Sequence, residues 1–485
     1  MHAMRAPPSL LVATFALGAV ACEWRVAERP PPRTAIAARP AAPPPTPAPP
    51  GEPAVPPAEE LSFDAMIVEP RAPACPPVAE ERLASFPSLS ELVPAAIPPI
   101  EDPRGTMGTF HARLVGLARG TATDHVRIAV YGDSNMTRDY VTGQMRRLLQ
   151  ERFGDGGHGF VALGRPWPWY AHVDVEHDLR PYRSWRFFAT STHRTKDGLY
   201  GFANIAAESA VRNATSWVAT ARDGAPVGTT AERFDVYYLK APLGGAFEIR
   251  ADGALVRRVQ TRAAKTSAGF ESFELPDAPH RIECVAQGNG SVRLFGVTLE
   301  RRAPSVQVDS LGVGALNFEQ MTHVDRGTRR EMVAHRKYDL VIFLLGTNMF
   351  APDMHARWIR AVTDDFRAAL PGTPILLMSP PDSGVTTRNW TSDPRIRRLS
   401  IQLRDIARDQ GLAYWDFYQA MGGPGAIKTF MQKKLAEKDC VHLTRAGGFA
   451  MGQRFVHAMM EETRAYAAAH PAAGCEPSSP RPPPP

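Results

Sequence analysis

The chain has 485 residues, 44% of them apolar and 22% charged, with 56 Lys and Arg against 50 Asp and Glu and a formal net charge of +6. These values suit a globular protein with a sizeable core and exclude a wholly disordered chain. The basic residues are scattered rather than gathered in runs, which argues against nucleic acid as a partner and fits an anionic setting such as a cell envelope.

At the N-terminus, Arg5, the apolar segment "LLVATFALGAV" and the sequence "AVAC" read as a secretory signal over residues 1–22. The segment is too short to span a bilayer permanently. Cys22 at its end resembles the lipobox cysteine of bacterial lipoproteins, which is acylated and anchors the chain to a bacterial membrane. The Leu favoured three places earlier is Ala19 here, and Ala19-Val20-Ala21 is also an A-x-A site for plain signal cleavage. The expected location is therefore exported, periplasmic or envelope-bound, with a lipid on Cys22. Residues 23–62 are rich in Pro and Ala and cannot bury a core, so they read as an extended linker. The end of the chain, 471–485, reads as an unstructured tail.

Without Cys22, four cysteines remain: Cys75, Cys284, Cys440 and Cys475. Cys75 and Cys475 flank the folded region, so a clasp between them is one option and unpaired thiols the other.

From Phe63 to Arg104 the chain is Pro-rich and poorly periodic, as a leader laid on a domain surface would be. Helical spacing follows over Met107–Leu117, then a strand over Val126–Val130. Apolar residues of Met136–Phe153 (Tyr140, Val141, Met145, Leu148, Leu149, Phe153) share one face, as in a helix packed on a sheet. Residues 63–164 form the first part of an α/β domain. Residues 165–303 differ in texture. Short alternating runs ("FDVYYL", "AFEIR", "ALVRRVQT", "FESFEL", "HRIECVA", "SVRLFGVTLER") are separated by turn signals at Asp252-Gly253 and Gly288–Gly290, which predicts an inserted antiparallel β-sandwich or jelly roll. From 304 to 470 buried strands return in "SVQVDSLGVGA", "YDLVIFLLGTN", "TPILLMSPPD" and "LAYWDFY". Helical stretches such as His355–Leu370 and Arg395–Gln410 lie between them, and the alternation predicts a doubly wound α/β fold with a parallel sheet.

The polar residues of interest stand at the ends of those strands, where open α/β sheets place their ligands. Gly132-Asp133-Ser134 follows the first strand, Gly312 and Gly314 the second, and Gly346-Thr347-Asn348 the third. Asp439-Cys440-Val441-His442 stands near the C-terminus. Each block alone has an innocent reading as a turn, cap or surface pair. The cluster His172, Asp174, Glu176, His177 and Asp178 contains metal-ligand types, but "HVDVEHD" alternates like a half-exposed strand, and no metal is assigned to it.

Taken in order, these blocks resemble the SGNH (GDSL-type) hydrolase family, over about Pro99 to Ala467 and interrupted by the insert. The resemblance implies an α/β/α sandwich, Ser134 as nucleophile, His442 as base and Asp439 as its orienting carboxylate. It implies an oxyanion hole from the Ser134 amide, Gly314 and the Asn348 side chain, although "LGVGAL" also offers Gly312 and the Ala315 amide. The family's usual Leu after the serine is Asn135 here. "FGDGGHGFV", the β-rich insert and "DFYQAMGGPGAI" are further similar to exported peptidoglycan O-acetylesterase-like members, in which the insert resembles a carbohydrate-binding module. The implied function is a serine esterase removing O-acetyl groups from a cell-wall glycan or other carbohydrate through an acyl-serine intermediate. An O-acetyltransferase of the same fold and a non-catalytic glycan-binding envelope lipoprotein are the alternatives. The chemistry requires no metal or organic cofactor, and the partners implied are an acetylated glycan or small ester. Trp167, Trp169, Tyr170 and Trp185 either face a sugar or pack the seam between insert and catalytic domain. Placement of Ser134 at a helix N-terminus would add a favourable dipole.

Overall fold

The computed structural model describes residues 75–385 and 391–475. The signal segment, Cys22, the linker over 23–62 and the tail beyond Cys475 lie outside the described residues.

Five parallel strands form the central sheet: β1 (Val126–Gly132), β2 (Val306–Gly312), β3 (Leu340–Leu344), β4 (Ile375–Met378) and β5 (Ala413–Trp415), in the order β2-β1-β3-β4-β5. These strands are buried along their whole length, which explains their near-continuous apolar sequences. Alternate side chains enter different layers. Val126, Ile128 and Val130 meet a helical layer built from α1 (Gly108–Arg119), α2 (Tyr140–Phe153) and α6 (Arg445–Ala469). Ala129, Tyr131, Val341 and Phe343 face the other side, where α3 (Arg326–Arg336), α4 (Pro352–Ala369) and α5 (Pro394–Gln410) pack.

Between β1 and β2 in sequence lie two antiparallel sheets. One runs in the order 267–278, 231–240, 292–300, 205–209, 186–189, and Gly159–Ala162 pairs with Val292–Glu300 as well. The other runs 175–180, 215–221, 281–286, 246–251, 254–260. A separate apolar core that includes Val218, Phe247, Ile249, Ile282 and Leu294 lies between these sheets, the sandwich that the alternating runs predicted. The first sheet also turns Phe160, Tyr237 and Phe295 into the same core as Tyr131 and Phe343 of the parallel sheet, and the turn before 205–209 adds Phe202. The antiparallel part thus occupies ground that a crossover helix would otherwise cover.

The leader is more deeply engaged than surface wrapping implies, because Leu83, Phe86, Val93 and Ile100 are buried in the helical-side core. Arg454 of α6, fully buried, secures it by donating to the carbonyls of Ser88, Val93 and Ala95. Cys75 and Cys475 are joined by a disulfide across 400 residues of sequence, while the Cys284 thiol is buried in the sandwich.

Candidate active site

In the sheet register Gly132 of β1 lies beside Gly312 of β2 and Leu344 of β3. Neighbouring strands are about 4.8 Å apart, so Ser134, Gly314 and Asn348, a few residues beyond these positions, emerge at one edge. The turn after β1 is tight. A Cβ on Gly312 would lie 2.4 Å from the Met136 backbone carbon, so only glycine lets β2 run against the serine turn.

Ser134 opens a short 3₁₀ turn, Ser134–Met136, and α2 begins only at Tyr140, after Asp139 has taken a left-handed conformation (φ 57°). This corrects the expectation of one helix from Met136 and of a helix dipole aimed at Ser134. Asp133 caps the turn by accepting the Asn135 amide at 3.1 Å, and its burial pushes the carboxyl above its ordinary range.

The Asp-x-x-His block folds as a loop before α6 and brings its imidazole to the serine. His442 Nδ1 lies 2.7 Å from Asp439 Oδ2, and His442 Nε2 lies 2.8 Å from Ser134 Oγ. With a carboxylate accepting the Nδ1 proton, Nε2 is left as the acceptor facing the hydroxyl. Burial alone would raise the Asp439 carboxyl, but hydrogen bonds from the His442 amide and ring and from the Val441 amide hold it below the ordinary value. It therefore stays ionised.

The oxyanion-hole candidates share a distinctive state. Asn348 Nδ2 is buried without a hydrogen-bond partner among the described residues. The Val313 amide is taken by Gly132 O and the Leu316 amide by Val313 O, whereas those of Ser134, Gly314 and Ala315 donate to no backbone carbonyl among the described residues. Donors left unused at the sheet edge that carries Ser134 suit a transient negative oxygen. The Asn348 loop is stiffened from outside the site. Arg395 donates to Thr347 O and Met349 O at 3.0 and 3.1 Å, and Asn317 donates to Asn348 O at 3.1 Å.

A cleft of about 590 Å³ opens over Ser134 and is lined by Arg138, Trp169, Lys438, Asp439 and His442. The aromatic group divides. Trp167 and Tyr170 are buried in the seam with the parallel sheet and Trp185 lies in the sandwich core, while Trp169 is 49% exposed in the cleft. Its loop is pinned to the serine turn by the Ala171 amide on Thr137 O at 3.0 Å and the Val173 amide on Asp139 Oδ2 at 3.0 Å. Asp139 also binds both terminal nitrogens of Arg146. Sequence reasoning missed this junction; the spacing of Thr142 and Arg146 behind Asp139 on one helix face was its available signal.

The acidic and histidine cluster over 172–178 does not converge. Asp174 pairs with Arg222, Asp178 with Arg165, and Glu176 is exposed. Another grouping, Asp139, His158 and His172, has ligand-type atoms within 4.8 Å of one another, but Arg146 already neutralises its carboxylate.

The sequence model of the GDSL-like Lipase/Acylhydrolase family matches residues 275–448, a little over a third of the chain. The match takes in Gly314, Asn348, Asp439 and His442; Ser134 precedes it, separated by the antiparallel sheets. No curated protein matches the sequence. Among solved structures, a peptidoglycan O-acetylesterase is similar at 21% identity over 76% of this chain and 99% of its own, with a TM-score of 0.64, which establishes a common fold. Family two carbohydrate esterases from Clostridium thermocellum (11% identity, 58% of this chain and 99% of that one) and Cellvibrio japonicus (10%, 60% and 98%) superimpose with TM-scores of only 0.25 and carry no argument. Fold and family pattern together define a carboxylic ester hydrolase. The matched segment and the shared fold support an SGNH (GDSL-type) hydrolase.

Proposed function

We propose that the protein is an exported serine esterase that removes O-acetyl groups from a cell-envelope glycan through an acyl-serine intermediate. The observation that carries the reading is the unbroken line of hydrogen bonds from Asp439 through His442 to Ser134. Ser134 Oγ attacks the acetyl carbonyl while His442 Nε2 takes its proton. The oxyanion draws on the Asn348 Nδ2 and the amides of Ser134 and Gly314, with Ala315 as the neighbouring alternative to Gly314. Collapse breaks the bond between the acyl carbon and the sugar oxygen, which takes the proton from His442 and leaves as a hydroxyl; water, deprotonated by His442, then attacks the acyl-serine to free acetate and Ser134. Asp439 stabilises the imidazolium in both halves.

The acetylated-glycan assignment is supported by the kinship in fold with a peptidoglycan O-acetylesterase and by Trp169, whose exposed ring beside the serine offers a flat apolar face to a sugar. Export and a lipid on Cys22 follow from the N-terminal pattern, which suits an envelope substrate. Ser134→Ala is expected to abolish acetate release from p-nitrophenyl acetate while the protein stays folded by circular dichroism. Mass spectrometry of acetylated peptidoglycan and acetylated xylan before and after incubation tests the substrate: acetate loss from neither polymer, with the small ester still cleaved, would remove the glycan assignment.

A further inference from the structure

Asn135 stands where the GDSL-type pattern has leucine, and it is buried. Its Nδ2 donates to Val441 O at 3.3 Å and its Oδ1 accepts the Leu443 amide at 2.9 Å. Those two atoms belong to the residues on either side of His442. The amide orientation is determined by these partners, since a flipped carboxamide would set oxygen against carbonyl and N–H against N–H.

Other bonds of the histidine loop turn inward or run to other segments. Asp439 Oδ1 accepts the Val441 and His442 amides, and the Glu437 amide donates to His442 O; these bonds shape the loop internally. The Gly384 amide ties Cys440 O to a different loop. Packing confines the dyad little, because the side chains of His442 and Asp439 are 39% and 50% exposed. A short hydrogen bond between Nε2 and Oγ then depends on how well the two backbones are registered, and a misplacement of about 1 Å can cost a hundredfold in rate.

We propose that Asn135 is a positioning residue whose carboxamide couples the His442 backbone to the nucleophile turn, so that the residue next to the serine places the base. The proposal rests on Ser134 and His442 being nucleophile and base. Leucine at 135 would erase both bonds and strand the Val441 carbonyl and the buried Leu443 amide. Aspartate keeps the acceptor for Leu443, loses the donor to Val441 and adds a charge near the imidazole.

The test measures kcat and KM of the full chain on p-nitrophenyl acetate from pH 5 to 9 for Asn135→Leu, Asn135→Asp and Ser134→Ala. Asn135→Leu is expected to lower kcat 10- to 100-fold with KM within twofold of the parent. Asn135→Asp is expected to keep intermediate activity and to move the acidic limb of the profile up by ~0.5 to 1 pH unit, because a nearby carboxylate favours imidazolium. Should the leucine variant fail to fold, the isosteric aspartate variant decides alone. A kcat for Asn135→Leu within threefold of the parent, or an Asn135→Asp profile superimposable on it, overturns the proposal. Inactive Ser134→Ala alongside that result removes only the positioning role, whereas an active Ser134→Ala removes the nucleophile assignment beneath it.

Discussion

Truncating Asn348 to alanine separates catalytic from structural worth at one position. Its Nδ2 has no hydrogen-bond partner among the described residues, and the loop around it is held by Arg395 and Asn317 through main-chain carbonyls. The substitution therefore breaks no bond made by Nδ2 and leaves those supports in place. Deleting a buried donor without an acceptor relieves a desolvation cost of about 1–3 kcal/mol, offset by lost packing at a half-buried site, so stability should change by no more than ~1 kcal/mol. Loss of one of three donors to the developing oxyanion should remove about 2.7–4 kcal/mol of transition-state stabilisation, a 10²- to 10³-fold fall in kcat. Asn348→Asp, equal in shape but repelling the oxyanion, should fall at least as far. Initial rates on p-nitrophenyl acetate, paired with urea unfolding of the same preparations, give both quantities. A kcat within tenfold of the parent, or a loss that merely follows the unfolded fraction, would refute the reasoning.

Asp139→Asn should destabilise the protein by about 3–5 kcal/mol in urea, because Arg146 is left charged and buried, and adding Arg146→Met should recover much of that loss. Stability should also fall with acidification well above the carboxylate range. Burial lowers His172 to about 4 and His177 to about 3, so the unfolded chain takes up protons from about pH 6.5 downward while these folded imidazoles stay neutral. Each contributes about 2 kcal/mol of loss between pH 8 and pH 5, and His177→Phe should flatten the slope of unfolding free energy against pH by roughly that amount; an unchanged slope would contradict this. Trp169→Ala should raise KM for an acetylated glycan roughly fivefold, the worth of about 1 kcal/mol of ring contact, and leave p-nitrophenyl acetate kinetics unaltered.

The parallel sheet was legible because strands buried on both faces have little freedom in composition, and the serine and histidine because each sits in a short block whose order along the chain is informative. Asn135 was visible only as a departure, since its hydrogen bonds reach residues more than 300 positions away. Apolar periodicity over 136–153 hid the left-handed Asp139, which interrupts the helix without disturbing the pattern that follows. In "RPWPWYAH" no alternation says which ring turns outward, so the exposed Trp169 and the buried Trp167 looked equivalent. Gly159–Ala162 is too short to announce itself as a strand; its partner, Val292–Glu300, lies more than 130 residues on.

The apolar layer that Phe160, Tyr237 and Phe295 share with Tyr131 and Phe343 bears on how the molecule can be taken apart. Excising the antiparallel sheets would strip Phe160, Tyr237 and Phe295 from a core that Tyr131 and Phe343 share and would carry off the loop that supplies Trp169. The β-rich segment is therefore built into the α/β body rather than hung from it as a detachable appendage.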